Sequence, residues 1–492
     1  MYLNPGLRGS SSPQPAGAPS PAPRRHPLLL RLCLGVLLAA TLLSTGCSGK
    51  SSGSQPSPAE LGGELLLAEK VGDPANRDDM ESRFASLKLN SLNVSVGSDD
   101  QSIVKFLVDV VWSAAKKTAQ GDNYWVTTEK IHYTTTDAKG NEIRVSGIAF
   151  IPWNASLVKA PILCLQHGTQ IYRDYAPSKF LYDMWKYIDD PKEIMLWAES
   201  IVGYMYAHAG YIVVMPDYPS MGINRDYHPY MDPSIANSVT DLHKAVQARL
   251  LQDTWKKWTV WNQQTFLVGF SEGGYATMVA ARRMQEKNLT VTAVAPLDGP
   301  YDLSTTMRNL MTANAPHKAP YFLPYTLVSF QKIKGDGSYK FSDTMKTPWN
   351  ETLPPMLDGS RKSEEVTNAM PVRADGQRYP PDILTASFLA QMAKPYTGNA
   401  ATDGPVVTDL AANDAYRGWK PAMPMRLFHC QTDDLVPVGN SRAALKAWID
   451  QTNVTGVQDV VPLDLADSPV HVQAALPALL DGFLWLDGYR KR

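Results

Sequence analysis

Cysteine is scarce in this chain, which has four among its 492 residues. Cys33 and Cys47 lie near the N-terminus, so only Cys164 and Cys430 belong to the remaining length. Each of these two lies within an apolar, strand-like run, where a buried thiol is common. The scarcity excludes a disulfide-rich scaffold, and we expect no disulfide between Cys164 and Cys430, although an exported protein could form one.

An excess of charge of either sign is also lacking. The 47 lysines and arginines nearly balance the 48 aspartates and glutamates, which leaves a net charge of −1. A nucleic-acid-binding surface needs a clustered excess of basic residues, so we expect no nucleic-acid partner. The composition, 44% hydrophobic and 19% charged, is that of an ordinary globular protein.

An unbroken apolar run long enough to span a membrane is missing as well. Residues 28–43 are mainly apolar but include Arg31, and basic residues precede them, a pattern typical of a signal peptide. The run ends in Leu43-Ser44-Thr45-Gly46-Cys47, which resembles the lipobox of bacterial lipoproteins, with Ser44 at a position that usually holds leucine. The resemblance implies that residues 1–46 are removed and that Cys47 is lipidated. We therefore expect an exported bacterial cell-envelope lipoprotein held at the membrane through Cys47. The alternative is an ordinary signal, as in a secreted protein, or an anchor helix, with Cys47 incidental.

Composition and periodicity divide the rest of the chain into segments. A Ser/Gly/Pro-rich stretch predicts a flexible tether, and apolar positions at helical spacing follow it. From Tyr124 the spacing changes to two, which predicts a hairpin. Short apolar runs then alternate with helical patterns, as in a parallel sheet covered by helices on both faces, until the alternation stops for roughly 120 residues. The predicted segments are the tether (47–60), an N-terminal helical extension (61–123), the first part of an α/β core (124–300), an inserted cap (301–420) and the second part of the core (421–492).

The segment Gly269-Phe270-Ser271-Glu272-Gly273 matches the pattern Gly-x-Ser-x-Gly. Roughly 0.2 matches are expected by chance in a chain of this length, and a second match surrounds Ser51 in the tether. Ser271, unlike Ser51, follows a predicted strand over 265–268 and precedes a predicted helix over 275–287. In that setting the serine is held on a strained turn with its hydroxyl exposed. We predict Ser271 as a catalytic nucleophile, against the alternative of a glycine-rich turn without chemistry.

A serine nucleophile needs a base, and three histidines follow Ser271 in the chain. His317 lies in the predicted cap, and His429 lies inside the predicted strand 425–430, where a hydrogen-bonded core residue is expected. His471 follows the predicted strand 457–463 and opens the last predicted helix, 470–486. We therefore predict His471 as the base.

The base in turn needs a carboxylate to orient it. Asp433 follows the strand 425–430, from which a carboxylate can reach a histidine on the neighbouring loop. Asp434 is adjacent, and one of the two aspartates is expected to be solvated or to cap a helix. Asp467 precedes His471 by only four residues and is expected to be a turn residue. We predict Asp433 as the acid, with Asp434 as the alternative.

The reaction also requires two backbone donors for a developing oxyanion. The amide of Glu272, directly after the nucleophile, is predicted as one donor. The other is predicted in the loop Gln166-His167-Gly168-Thr169, at the amide of Thr169. His167 is expected to shape this loop and not to act as a base.

Three segments resemble the secreted bacterial esterases and fungal secretory lipases of the α/β-hydrolase superfamily. They are His167-Gly168, Met215-Pro216-Asp217-Tyr218 with Gly222 and His228-Pro229-Tyr230, and Gly269 to Tyr275. The loop Asp433-x-x-Val436-Pro437 and His471 are similar to the acid loop and the histidine of that superfamily. The resemblance covers Tyr124 to the C-terminus and implies an α/β-hydrolase fold with a cap. It further implies ester hydrolysis through a Ser-Asp-His triad and an acyl-enzyme, without cofactor or metal, and makes Asp217 and Tyr218 structural or rim residues.

The substrate class remains open at this point. The predicted cap contains many apolar and aromatic residues, which suit a hydrophobic or lipid ester or simply form the core of the cap itself. Lipase, carboxylesterase and polyester depolymerase are all compatible with it. A peptidase on the same fold usually has a large N-terminal propeller, which the roughly 75 residues between Ser48 and Tyr124 cannot build. An inactive hydrolase fold that serves as a lipid-anchored binding module is the alternative from another class.

Overall fold

The computed structural model of the chain places nine strands of the described residues in one sheet. It describes residues 62–79, 82, 93–96, 99–119, 122–180, 197–335, 339–463 and 468–491. The predicted signal peptide, Cys47, the tether with Ser51, and Asp467 lie outside the described residues. All described residues belong to one unit, 55–492.

The strands and helices alternate along the core much as the apolar runs predict. The strands are β1 (Leu65–Ala75), β2 (Asn93–Val96), β3 (Asp99–Ser102), β4 (Trp125–Thr136), β5 (Glu142–Trp153), β6 (Val158–Gln166), β7 (Ile212–Pro216), β8 (Thr259–Phe270), β9 (Ala293–Leu297), β10 (Met425–His429) and β11 (Val454–Asp459). The helices are α1 (Ile103–Thr118), α2 (Ala198–His208), α3 (Ile235–Leu250), α4 (Glu272–Glu286), α5 (Arg308–Thr312), α6 (Phe322–Lys334), α7 (Phe341–Thr344), α8 (Trp349–Met356), α9 (Ser363–Asn368), α10 (Ala386–Met392), α11 (Ala400–Asp403), α12 (Pro405–Ala412), α13 (Gly439–Ala447) and α14 (Val470–Asp487).

The large sheet has the order β1-β4-β5-β7-β6-β8-β9-β10-β11. Strands β1, β4, β5 and β7 pair antiparallel, which includes the predicted hairpin of β4 and β5, and the strands from β7 to β11 pair parallel. In parallel strands the carboxyl ends share one edge of the sheet. Loops that follow β6, β8, β9 and β10 therefore meet at that edge.

Helices cover both faces of the sheet, as predicted. Along β6, Ile162 and Cys164 pack into one apolar cluster with α3 and α4, whereas Leu163 and Leu165 pack into another with α1, α2 and α14. This alternation follows from the period of two along a strand. Cys164 and Cys430 are both buried free thiols.

The N-terminal extension differs from the helix predicted over 61–123. Residues Leu65–Ala75 form β1, which pairs antiparallel with β4, and the helical prediction is wrong there. Among the described residues of this segment, α1 is the one long helix. Most β1 side chains are exposed, and Val71 and Ala75 are the buried ones. A strand buried at so few positions carries little periodic signal, so the extended partner β4 determines its conformation.

Between β9 and β10 the described chain forms helices α5 to α12, joined by turns and one isolated bridge between Met345 and Leu384. Many of the aromatic residues of this segment, among them Tyr325, Phe330 and Phe388, are buried in the same apolar cluster as α3 and α4. Within the described residues, no helix combines the length and hydropathy that a membrane span requires.

Candidate active site

Ser271 occupies the turn between β8 and α4. Its backbone has φ 59° and ψ −123°, a conformation that is strained for a residue with a side chain. A Cβ atom at Gly273 would lie 2.1 Å from the carbonyl oxygen of Gln166, so only glycine fits there. The close packing of this turn against β6 holds the Ser271 side chain at the carboxyl edge of the sheet.

Asp433 and His471 form a close pair at the same edge. The Nδ1 atom of His471 lies 2.5 Å from the Oδ2 atom of Asp433, and the other carboxylate oxygen accepts the backbone N–H groups of Leu435 and Val436 at 2.9 and 2.7 Å. Burial acts to raise the pKa of Asp433, but His471 and the Val436 N–H hold it below its ordinary value. An ionised carboxylate fixes the Nδ1–H tautomer, which leaves Nε2 of His471 as a proton acceptor.

Nε2 of His471 is buried and has no hydrogen-bond partner in the part of the chain that the structure describes. His471 and Ser271 line the same cleft, and the His471 ring lies 4.6 Å from the ring of Phe270, centroid to centroid. The structure thus brings the predicted nucleophile, base and acid together from the loops after β8, β10 and β11.

Asp434 contacts the backbone of His471 and not its ring. Its Oδ1 atom accepts the His471 N–H at 3.2 Å, which caps the first turn of α14. Its Oδ2 atom lies 3.8 Å from Nζ of Lys318, in the segment between β9 and β10. The two adjacent aspartates therefore have separate contacts, and Asp433 alone reaches the imidazole.

The other downstream histidine in the core is engaged elsewhere, as expected. Nε2 of His429 donates to the carbonyl of Val436 at 2.7 Å, and Nδ1 lies 2.7 Å from the hydroxyl of Ser441. Burial lowers the pKa of His429 to about 4. His317 is also buried, and its Nδ1 atom accepts the N–H of Ala319 at 3.1 Å.

Asp298, at the end of β9, is a buried carboxyl that the sequence analysis missed. It accepts the N–H of Cys430 at 2.8 Å, and burial together with the charge of Asp433 raises its pKa well above the ordinary value. One oxygen of Asp298, one of Asp433 and a nitrogen of His429 lie within 4.8 Å of one another. The three residues already make hydrogen bonds, His429 with Val436 and Ser441, Asp433 with His471, and Asp298 with Cys430, so we interpret the group as a structural support for the Asp433 carboxylate.

The two amides predicted as oxyanion donors flank Ser271. Glu272 is the first residue of α4, where an N–H has no intrahelical acceptor. Thr169 lines the cleft beside Ser271, and neither amide has an acceptor among the described residues. Both N–H groups are therefore free to bind a ligand oxygen.

Glu199, in the first turn of α2, was not singled out from the sequence. Its two carboxylate oxygens lie 2.9 and 3.1 Å from the N–H of Gly168, directly before Thr169. Burial, with the charge of Glu272, raises the pKa of Glu199 to about 8, so the carboxyl is protonated at neutral pH. Its contact with Gly168 positions the loop that carries the Thr169 amide.

The raised pKa of Glu199 predicts a pH-dependent cost to stability. Between its ordinary value of 4.5 and about 8, the folded state holds a proton that the unfolded state releases, so the free energy of unfolding falls as the pH rises. Replacement by glutamine, whose amide oxygen can still accept the Gly168 N–H, removes this dependence. In urea unfolding from pH 5 to 8, we expect the free energy of unfolding of Glu199→Gln, relative to that of the parent, to rise by up to about 1.4 kcal/mol per pH unit. Parallel curves would contradict a neutral Glu199 carboxyl at neutral pH.

The side chain of Glu272 forms a second buried contact that sequence reasoning missed. Its Oε1 atom lies 2.5 Å from Nε2 of His228, in the loop after β7. The His228 ring stacks on Tyr325 of α6 at 5.6 Å. The pair therefore connects the residue after the nucleophile to the segment between β9 and β10. The five-residue pattern leaves this position unspecified, so no local signal marks it.

Asp217 and Tyr218 are fully buried and do not lie at a rim. Asp217 accepts the N–H of Ser178 at 2.8 Å and bonds to the hydroxyl of Ser146. The Tyr218 hydroxyl donates to the carbonyl of His167 at 3.3 Å, and the two rings lie 4.2 Å apart. Of the two roles that the resemblance implies for them, the structural one fits these contacts.

Two cavities meet at Ser271. The first is lined mainly by apolar side chains, most of them from the segments after β9 and from α6. The second is a more open cleft that contains His471, Thr169 and Glu199. A bound molecule can thus extend from Ser271 in two directions.

In sequence, no family model and no curated protein matches this chain. Among solved structures, it is similar to a protein of Legionella pneumophila assigned as a hydrolase, with a TM-score of 0.65 and 22% identity over 87% of this chain and 99% of that one. It is also similar to the rice cell wall degrading esterase LipA of Xanthomonas oryzae, with a TM-score of 0.60 and 20% identity over 85% and 95%. For lipase A of Candida antarctica in its closed state the TM-score is 0.50, at 13% identity over 83% and 82%.

Likenesses at this level of identity show the fold. The chain has the α/β-hydrolase fold, with a mostly parallel sheet, helices on both faces and a helical segment between two strands of the core. This confirms the fold that the motifs imply.

Proposed function

We propose that this protein is a serine hydrolase that cleaves carboxylic esters, with Ser271 as nucleophile, His471 as base and Asp433 as acid. The observation that carries the proposal is the His471–Asp433 pair, which leaves the buried Nε2 atom without a partner among the described residues, in the cleft that Ser271 lines. The esterase and lipase among the structural neighbours support the same reaction class.

The proposed reaction runs through an acyl-enzyme. Nε2 of His471 takes the Ser271 proton as Oγ attacks the ester carbonyl, and the amides of Thr169 and Glu272 bind the resulting oxyanion. The carbon–oxygen bond to the alcohol breaks, and the alcohol leaves with the proton from His471. Water then gives a proton to His471 and attacks the acyl-enzyme, which releases the acid and restores Ser271.

The apolar cavity supports a hydrophobic acyl group as the part of the ester bound beside Ser271. Lipase, carboxylesterase and polyester depolymerase are versions of this proposal that differ in the acyl and alcohol parts. We further propose that the enzyme is exported and held at a bacterial membrane through a lipidated Cys47, so that its substrate is an ester outside the cytoplasm.

A fluorophosphonate probe tests the proposed nucleophile directly. We expect covalent labelling of the wild-type protein, with the added mass on the peptide that contains Ser271, together with hydrolysis of p-nitrophenyl butyrate. Labelling on the peptide that contains Ser51 would contradict the assignment of the nucleophile. A folded protein that neither labels nor hydrolyses any ester would instead support the binding-module alternative.

A further inference from the structure

Arg308 is a buried cation in the wall of the apolar cavity. It is the first residue of α5 and follows a π-helical turn, Leu303–Met307, whose first and last side chains line the same cavity. Leu303, Met307 and Met311 are spaced by four residues and share one face, with Arg308 beside them. Only 5% of the Arg308 surface is exposed. The cavity that begins at Ser271 therefore contains one positive charge in an apolar lining.

The Arg308 guanidinium has no internal partner among the described residues. Its Nε and Nη1 atoms are buried without a hydrogen bond to a described residue, and the described carboxylates near it act on it only through their charge. Burial lowers the pKa of Arg308, but a guanidinium remains protonated in proteins. A buried charge without a partner is costly unless a ligand supplies the acceptor.

Three nearby acids act on Arg308 only at longer range. Asp302 accepts the Tyr416 hydroxyl at 3.0 Å and the Thr306 N–H at 3.0 Å. Asp414 binds Ser304 and Arg417. Asp403 accepts two hydrogen bonds from Thr397, and its second oxygen is buried without a partner. Asp403 is therefore the internal group with which Arg308 would pair if its role were purely structural.

We propose that Arg308 is the specificity determinant of an acyl subsite for esters whose acyl chain carries a hydrogen-bond acceptor, a carboxylate or a second ester carbonyl, away from the scissile bond. The inference rests on the proposed ester hydrolysis at Ser271. The apolar walls would contact the methylene groups of such an acyl chain, and the guanidinium would bind the acceptor in a forked, charge-assisted contact. Hemi-esters of dicarboxylic acids and aliphatic diesters have this chemistry.

Matched substrates distinguish the effect of the hydrogen-bond acceptor from the effect of the acyl-chain length. The mono-p-nitrophenyl esters of adipic, suberic and sebacic acid are compared with their ω-methyl esters and with p-nitrophenyl esters of unsubstituted acids of the same length. The Arg308→Met variant is expected to lose about ten- to a hundredfold in kcat/KM for the best acceptor-bearing ester. Its kcat/KM for the unsubstituted esters should stay within a few-fold of the parent value. Loss on the hemi-esters alone identifies a carboxylate as the acceptor, and equal loss on the methyl esters identifies a carbonyl.

Two controls keep the result interpretable. Arg361→Met removes an exposed arginine that pairs with Glu365, and it should leave the ratio of acceptor-bearing to unsubstituted activity unchanged. Thermal unfolding of Arg308→Met should occur at or above the parent temperature, because an unpaired buried charge is replaced by an apolar side chain of similar length. Destabilisation of Arg308→Met matched by Asp403→Asn would assign Arg308 to a structural pair and overturn the proposal.

The same assays distinguish this proposal from the general one. Suppose that Ser271 is labelled and unsubstituted esters are hydrolysed, but the ratio of acceptor-bearing to unsubstituted activity is equal in the wild type and Arg308→Met. The proposed acyl subsite is then wrong, whereas the proposed ester hydrolysis is supported. If no ester is hydrolysed and Ser271 is not labelled, the proposed function itself fails and the subsite fails with it.

Discussion

Alanine in place of Ser271 is expected to lower kcat for p-nitrophenyl butyrate by about 10⁴- to 10⁶-fold. Without the hydroxyl no acyl-enzyme can form, and only binding and the amides of Thr169 and Glu272 remain to assist attack by water. Steady-state hydrolysis at high enzyme concentration measures the residual rate. Ser51→Ala provides a matched control, because Ser51 lies in the same five-residue pattern, and we expect it to leave kcat unchanged.

Removal of the His471 side chain tests whether Ser271 and His471 act together in one catalytic step. We expect His471→Ala to cost about as much as Ser271→Ala, and the double variant to cost no more than either single one, because each loss disables the same step. Additive losses would mean that the two side chains act independently, which would contradict the proposed triad. Circular dichroism of each variant should match that of the parent, since neither substitution leaves a large cavity.

Asparagine in place of Asp433 is expected to lower kcat by about 10⁴-fold. Asp433 accepts from Nδ1 of His471 and so keeps Nε2 free as a base, whereas an asparagine amide can donate to Nδ1 and favour the opposite tautomer. The measurement is kcat as a function of pH for both proteins with the same ester. A loss that persists across the pH range is the expected result.

The neighbouring aspartate offers a close control. Asp434 contacts the backbone N–H of His471, and an asparagine oxygen at this position can accept the same hydrogen bond. Asp434→Asn should therefore keep kcat within a few-fold of the parent. The opposite outcome, with Asp434→Asn inactive and Asp433→Asn active, would assign the acid to Asp434.

The core of the fold could be predicted because its signals are local. Strands β7 and β9, most of β6, and β8 from Gln264 onward are buried on both faces, so each contains a short, nearly continuous apolar run. The turn at Ser271 could be predicted for the same reason, since its glycines are required by contacts that one strand and one helix make. The strand β1 could not be predicted, because few of its side chains are buried and its pairing with β4 spans about 60 residues of sequence.

The sequence alone does not determine whether Asp433 or Asp434 faces the His471 ring. Adjacent residues after a strand point in different directions, and which carboxylate faces an imidazole depends on the position of α14 relative to β10. Only the tertiary structure places Asp433 at the His471 ring and Asp434 at its backbone.

By itself, the amino-acid sequence determined the fold class, the strained turn at Ser271, and the order along the chain of the three residues that we propose as nucleophile, acid and base. Periodicity and glycine placement encode these features within a few neighbouring residues. The tertiary structure alone decided which groups support them: Glu199 at Gly168, Asp298 beside Asp433, and Arg308 in the cavity. These contacts are made by side chains far apart in the sequence, and burial determines their charge and their partners, so no local pattern of residues could specify them.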